Sequence, residues 1–305
     1  MRKLVIALLF AGAASLAAAQ ESPITLGSKI DTEGAVLSQL IRLILEDDGI
    51  SIDDRSGFGT TSVVREALLA GEIDLYPEYT GTALTFFPDT GLDEDLATRA
   101  DEMYETVKEL DLEENGVVWL GRSPANNTWA LAVPEALADE HGLESLADLA
   151  DYINAGEEFK LAASQEFVDR ADALPAFENT YGFELSSGQL VILAGGNTTQ
   201  TETAAANGTD GVNAAMAYGT DGTLSALGLV SLDDPEGAVA IYQPAPTVRG
   251  EVADAYPQLA DLLDPLFAEL DAATLQELNG LVAVDGLNAA DVAGDWLRDN
   301  GFLGD

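Results

Sequence analysis

The chain has 305 residues, no cysteine, and 54 acidic against 13 basic residues, for a formal net charge of −41. Such acidity argues against nucleic acid or anionic membrane surfaces as partners, and the lack of cysteine excludes disulfides, thiol catalysis and a lipid-modified cysteine anchor. Because the carboxylates are spread along the whole chain, they read as a solvated surface suited to high salt, where screening removes most long-range steering.

The first nineteen residues read as an export signal: Arg2 and Lys3, the apolar run Leu4 to Ala14, and an Ala17-Ala18-Ala19 cleavage site before Gln20. That run is too short to span a bilayer, so the expected product is a soluble periplasmic protein cleaved after Ala19. The remainder is long enough for a large core and fits one two-lobed unit or two domains.

Short strands then alternate with helical runs, an α/β pattern. Ile24 to Leu26 reads as a strand, followed by Gly27-Ser28-Lys29. Asp31 or Thr32 caps a helix whose apolar positions Val36, Leu37, Leu40, Ile41, Ile44 and Leu45 keep the helical period. Gly57 to Ser62 reads as a flexible turn and Val63 to Leu69 as a helix stopped by Gly71. The stretch GEIDLYPEYTGT, Gly71 to Thr82, combines a short apolar strand (Ile73, Leu75) with two tyrosines and a Thr-Gly-Thr turn. Aromatic rings at the carboxyl end of a strand sit where open α/β sheets take their ligands.

Val117 to Leu120 is a predicted strand, and Gly121-Arg122-Ser123-Pro124 a candidate crossover between lobes. A strand from Trp129 to Val133 follows, then a helix opening at Pro134 and another with Ser145 and Asp148 as a capping box. Lys160 to Ala163 is a further strand. The Gly195-Gly196 region leads into a helix over Thr199 to Asn207. The layout of Gly71 to Thr82 then returns at Asn207 to Gly222: a Gly-containing break, a strand over Val212 to Ala217, Tyr218 and Gly-Thr-Asp-Gly. Two such units imply two similar lobes facing one cleft. Ala238 to Tyr242 is read as a strand before a second crossover at Gln243-Pro244-Ala245-Pro246, and the chain from Val252 as helices packed on the first lobe. The expected lobes are residues 20–126 with 235–305, and 127–234.

Five blocks in this order carry a resemblance: GSK at Gly27 to Lys29, EALLAGEIDLYPEYTGTAL at Glu66 to Leu84, NNTWALAV at Asn126 to Val133, AYGTDG at Ala217 to Gly222 and IYQPAPTVR at Ile241 to Arg249. Together they resemble the substrate-binding proteins of ABC importers for glycine betaine, choline and related quaternary amines, over essentially all of the mature chain. The resemblance implies a two-lobed type II periplasmic-binding-protein fold of the α/β class with the ligand between the lobes. It also implies an aromatic box of Tyr79, Trp129, Tyr218 and Tyr242, and carboxylate partners at Lys29, Thr82 and Arg170. Trp129 stands where tyrosine is common, which keeps a π face. Asn127 stands where an acidic residue is sometimes found, which removes a direct charge partner for the cation. The implied partners are a small quaternary amine and an inner-membrane permease, with the protein acting as a monomer and without a cofactor.

The chemistry agrees with that residue set. A quaternary ammonium has no N–H to donate, so ring faces are its complement, each contact contributing roughly 0.5–2 kcal/mol once dry. Lysine and arginine suit a ligand carboxylate, and Thr82 offers a hydroxyl. Tyr76 and Trp119 are expected in the core. A salt bridge to Asp31 or Asp169 is the bland alternative for Lys29 and Arg170. The sole histidine, His141, lies in an acidic helical stretch and reads as solvated, and no nucleophile or metal motif stands out. A choline-type ligand, or a sensor or hydrolytic protein on the same fold, are the alternative readings.

Overall fold

The computed structural model describes residues 22–88, 90, 92, 96, 99–194 and 197–304; the expected export signal and the Gly195-Gly196 pair lie outside them. The chain opens with β1 (Ile24–Lys29), whose Ile24 and Leu26 are fully buried. Asp31 caps α1 (Thr32–Asp47) by accepting from the Gly34 amide at 2.7 Å, as its position before the apolar stripe predicts. A strand, β2 (Ile52–Gly59), follows where the sequence suggests only a turn. Its Ile-Asp-Asp-Arg-Ser start conceals it from hydrophobic periodicity. As an edge strand paired parallel to β1 alone, it can be polar. Gly57, at φ +72°, lies where the β1–β2 register shifts.

α2 (Thr61–Ala70) stops at Gly71, which takes φ +72° as the left-handed cap. β3 (Leu75–Tyr79) is buried throughout, and both tyrosines belong to the strand instead of following it. After α3 (Ala83–Phe86) and α4 (Ala100–Asn115), β4 (Val117–Trp119) is the last strand of this sheet before the chain crosses. Tyr76 and Trp119 are core residues, 0% and 1% exposed.

The chain then runs through the second sheet and its helices: β5 (Trp129–Pro134), α5 (Glu135–His141), α6 (Leu146–Asn154), β6 (Leu161–Ser164), α7 (Gln165–Asp169), α8 (Leu174–Tyr181), β7 (Leu190–Leu193), α9 (Thr198–Asn207), β8 (Ala214–Tyr218) and β9 (Leu229–Ser231). The Ser145–Asp148 capping box at the start of α6 forms as expected. His141 is exposed, its ring 4.9 Å from that of Tyr152. The chain then returns to the first sheet through β10 (Pro244–Arg249). It ends in α10 (Gly250–Ala255), α11 (Leu259–Ala268), α12 (Ala272–Ala283) and α13 (Ala289–Asp299). The last three pack on α1, on the first lobe as anticipated.

The two sheets share one plan. Their orders are β2-β1-β3-β10-β4 and β7-β6-β8-β5-β9. In each, three parallel strands adjoin one reversed strand delivered by a crossover, β10 or β5, which pairs antiparallel on both sides. Tyr79 and Tyr218 end the parallel strands beside the reversed one, opposite Pro244 and Trp129 respectively. The repeated layout read from the sequence is thus a repeated topology.

The second crossover departs from expectation. Residues Ala238 to Gln243 form no strand, whereas Pro244 and Pro246 lie inside β10, between β3 and β4. Proline lacks an amide donor and is normally kept out of central strands. Here the carbonyls of Pro244 and Pro246 accept from Ser123 and Leu120 at 2.8 and 2.9 Å, past the end of β4, where the chain needs acceptors and not donors.

The lobes meet closely at one place away from the crossovers. A Cβ on Gly222, after β8, would stand 2.1 Å from the Gln276 carbonyl oxygen and 2.5 Å from the Gly280 nitrogen, both backbone atoms of α12. No side-chain rotation relieves such a contact. Gly222→Ala is therefore expected to hold the lobes apart, and small-angle scattering should give a larger radius of gyration than for the parent protein. Superimposable profiles would show that loop and helix shift together instead.

Candidate ligand-binding site

The β3 and β8 tyrosines, the start of β5 and the segment entering β10 converge between the sheets on one cavity. Its lining contains Tyr79, Trp129, Tyr218 and Tyr242 together with Lys29, Thr82, Asn127 and Arg170. All eight positions singled out in the sequence thus meet around one space, although they are up to about 210 residues apart in the chain. Tyr242 reaches it from an irregular segment, not from the end of a strand.

The rings form a continuous wall. Trp129 and Tyr218, paired across β5 and β8, meet at a tilt, with centroids 4.7 Å apart and planes 33° apart. Tyr242 meets Trp129 edge-on at 6.4 Å and 73°, and Phe167 backs Trp129 at 5.3 Å. Tyr242 fits because residue 81 is glycine: a Cβ there would lie 2.7 Å from the Tyr242 ring. Burial raises all three tyrosine hydroxyls above their ordinary range, so each phenol is neutral and its ring face intact.

The cations are already engaged. Lys29 Nζ lies 2.6 Å from Glu78 Oε1 and 4.8 Å from the Tyr79 ring centre; its partner is Glu78, not Asp31. Thr82 Oγ1 donates to the same Glu78 oxygen at 3.0 Å, so its hydroxyl is committed inward. Arg170 pairs with Asp172 at 2.6 Å and Glu166 at 3.0 Å, not with Asp169, and its guanidinium lies 5.4 Å from the Trp129 ring centre. Tyr242 Oη donates to Asp172 at 2.7 Å and accepts from Arg170 at 3.1 Å. Although burial works against it, the Arg170 hydrogen bond and charge hold Asp172 below the ordinary carboxylate range. Each cation therefore stands over one ring and is anchored by carboxylates behind it.

Sequence reasoning missed the acidic residues of the site. Asp31 and Glu166 line the cavity, along with Ile30, Thr60 and Thr61. Desolvation raises the Asp31 carboxyl despite its hydrogen bond from Gly34. Glu33 lies behind the wall, 4% exposed. Its Oε1 accepts from Tyr79 Oη at 2.9 Å and Asn127 Nδ2 at 2.8 Å, and its Oε2 from Thr220 Oγ1 at 2.5 Å and Asn279 Nδ2 at 2.9 Å. One signal was available: Glu33 falls on the same helical stripe as Val36, Leu37, Leu40, Ile41 and Ile44, and a carboxylate on a buried stripe needs partners.

Burial outweighs those hydrogen bonds and pushes the Glu33 carboxyl from 4.5 up to about 7. A raised acid means that the native protein holds a proton that the unfolded chain has released between those values. The resulting contribution to stability is present at the acidic end and is lost as pH rises through about 7. The melting temperature of the parent relative to a Glu33→Gln variant should accordingly fall from pH 5 to pH 8. A difference that stays constant would place the Glu33 titration outside this window.

Comparison with known proteins gives the family. The model of a family described as the substrate binding domain of an ABC-type glycine betaine transport system matches residues 22–299. The glycine betaine-binding protein YehZ of Escherichia coli is 52% identical over 296 residues, covering 97% of this chain and 96% of YehZ. A glycine-betaine-binding protein of Pseudomonas aeruginosa is 34% identical over 100% of this chain and 97% of its own length. The solved structure of apo YehZ, 54% identical, superposes with a TM-score of 0.69 over 92% of this chain and 100% of that one. The architecture is that of the two-lobed type II periplasmic binding proteins, and the chain belongs to the substrate-binding domains of ABC-type glycine betaine transport systems.

Proposed function

We propose that the protein captures glycine betaine, or a related quaternary amine, in the cavity between its lobes and delivers it to an inner-membrane permease. On this reading the chain is exported to the periplasm with cleavage after Ala19, works as a monomer, and closes its lobes, residues 20–126 with 235–305 and 127–234, on the ligand. The observation that carries it is the ring wall: Tyr218 and Tyr242 each against Trp129, with Tyr79 on the same cavity. Such a surface suits a charge spread over methyl groups, which needs ring faces and not hydrogen-bond acceptors.

Lys29 and Arg170 stand over ring faces at 4.8 and 5.4 Å. An incoming trimethylammonium group takes those faces, and a ligand carboxylate gives the two cations a partner as they move aside. Thr82 and Asn127 complete the lining. The second reading, a choline-type ligand, is favoured by Asp31 and Glu166, which can accept from a hydroxyl.

Calorimetric titration with glycine betaine, choline and carnitine tests the proposal; no heat of binding from any of them would overturn it. Trp129→Leu keeps apolar bulk and removes the π face, and should weaken glycine betaine by about 1–2 kcal/mol, or roughly five- to thirtyfold. An unchanged affinity would take Trp129 out of the site. Lys29→Gln should weaken glycine betaine more than choline, because only the former has a carboxylate; equal losses would assign Lys29 to closure.

A further inference from the structure

We propose that Glu33 supplies the negative charge for the cation of the ligand from behind the cage, acting through Asn127 and Tyr79 without touching the ligand. The inference rests on the quaternary-amine reading above and adds to it the source of the counter-charge. Of the carboxylates on the cavity itself, Glu166 is paired with Arg170 and Asp31 caps α1 through the Gly34 amide, while Asn127 on the wall is a neutral amide. Its Nδ2 is fixed on Glu33 Oε1 at 2.8 Å, so the carbonyl end of the amide is turned away from Glu33. That Oδ1 is buried and has no hydrogen-bond partner among the described residues, on a residue that lines the cavity and is 7% exposed. A buried carbonyl left without a donor is costly unless something arrives to meet it. The dipole of an amide held by a carboxylate at its N–H end presents its negative end at the other, and hydrogen-bonded chains of this kind polarise one another.

Tyr79 conveys the same charge by a second route. Its hydroxyl donates to Glu33 Oε1 at 2.9 Å. A phenol that donates to a carboxylate carries more electron density in its ring, which strengthens the attraction of the ring face for a cation. Glu33 is therefore a positioning and polarising residue for two members of the wall. Its other oxygen is held by Thr220 of the opposite lobe and Asn279 of α12, so the arrangement is complete only when loop and helix are together.

The pH dependence has a definite sign. Among the described residues, the titratable groups facing Glu33 are Asp31 at the start of its own helix and Tyr79 on β3; Thr220, Asn127 and Asn279 are uncharged. A bound cation favours ionised Glu33, so the complex holds fewer protons than the free protein, whose Glu33 titrates at about 7. Affinity for a cationic ligand should then fall as pH drops through that value.

The test compares glycine betaine with 3,3-dimethylbutyrate, which has the same shape and carboxylate but a carbon in place of the charged nitrogen. Both are titrated into the full protein and into Glu33→Gln between pH 6 and 8. In the parent, glycine betaine should weaken about three- to tenfold from pH 8 to pH 6, while the hydrocarbon isostere changes little. Glu33→Gln should lose about tenfold for glycine betaine at pH 8, flatten its pH profile and leave the isostere nearly unaffected. Equal losses for the two ligands would make Glu33 a purely structural residue and overturn the inference while the proposed function stands. So would a parent affinity for glycine betaine that is flat from pH 6 to 8, a result that needs no variant to fold. Absence of glycine betaine binding to the parent at every pH would instead overturn the proposed function, and this inference with it.

Discussion

The arrangement of the site depends on the pairing of the two crossovers. The Asn127 amide donates to the Tyr242 carbonyl at 2.8 Å, the Tyr242 amide donates to Asn126 Oδ1 at 2.8 Å, and Thr128 Oγ1 donates to the Ala240 carbonyl at 2.7 Å. These bonds join segments more than a hundred residues apart and make one narrow neck of two strands of chain. Trp129 begins β5 just beyond it, and Tyr242 lies within it. A narrow pair of crossing segments is the form a hinge between rigid lobes takes, and the proposed closure would turn about it.

Charge is handled by neutralisation at short range. The two cations of the cavity, Lys29 and Arg170, are bound to Glu78, Glu166 and Asp172 within 3.0 Å. Removing one partner from such a pair leaves the other buried and unpaired, which costs more than the pair itself contributes. The surface surplus that gives the chain a net charge of −41 is a different matter, screened by salt and spread over both lobes. Local geometry, not net charge, sets the electrostatics of the cavity.

Duplication of one topology explains why aromatic residues from distant parts of the chain meet. In both sheets a tyrosine ends a parallel strand beside a reversed strand that the crossover delivers. Two lobes facing each other across the neck then present those strand ends to one space, as open α/β sheets do with their carboxyl edges. Gly81 and Gly222 allow the close approaches that result, one against the Tyr242 ring and one against the backbone of α12.

By itself the sequence determined the alternation of elements, the caps at Asp31, Gly71 and Ser145, and the set of ring-bearing and basic residues, because each has a local signal: periodicity, turn chemistry or an ordered block. Tertiary structure alone decided the rest. β2 exists because an edge strand can be polar, and β10 tolerates two prolines because its neighbour β4 ends before them. The partners of Lys29 and Arg170 are not their sequence neighbours Asp31 and Asp169, since strand pairing and helix geometry bring Glu78, Glu166 and Asp172 nearer. Glu33 gathers donors from β3, the crossover, the loop after β8 and α12. No local pattern encodes that convergence, because a buried carboxylate is stabilised by whichever donors the fold brings to it.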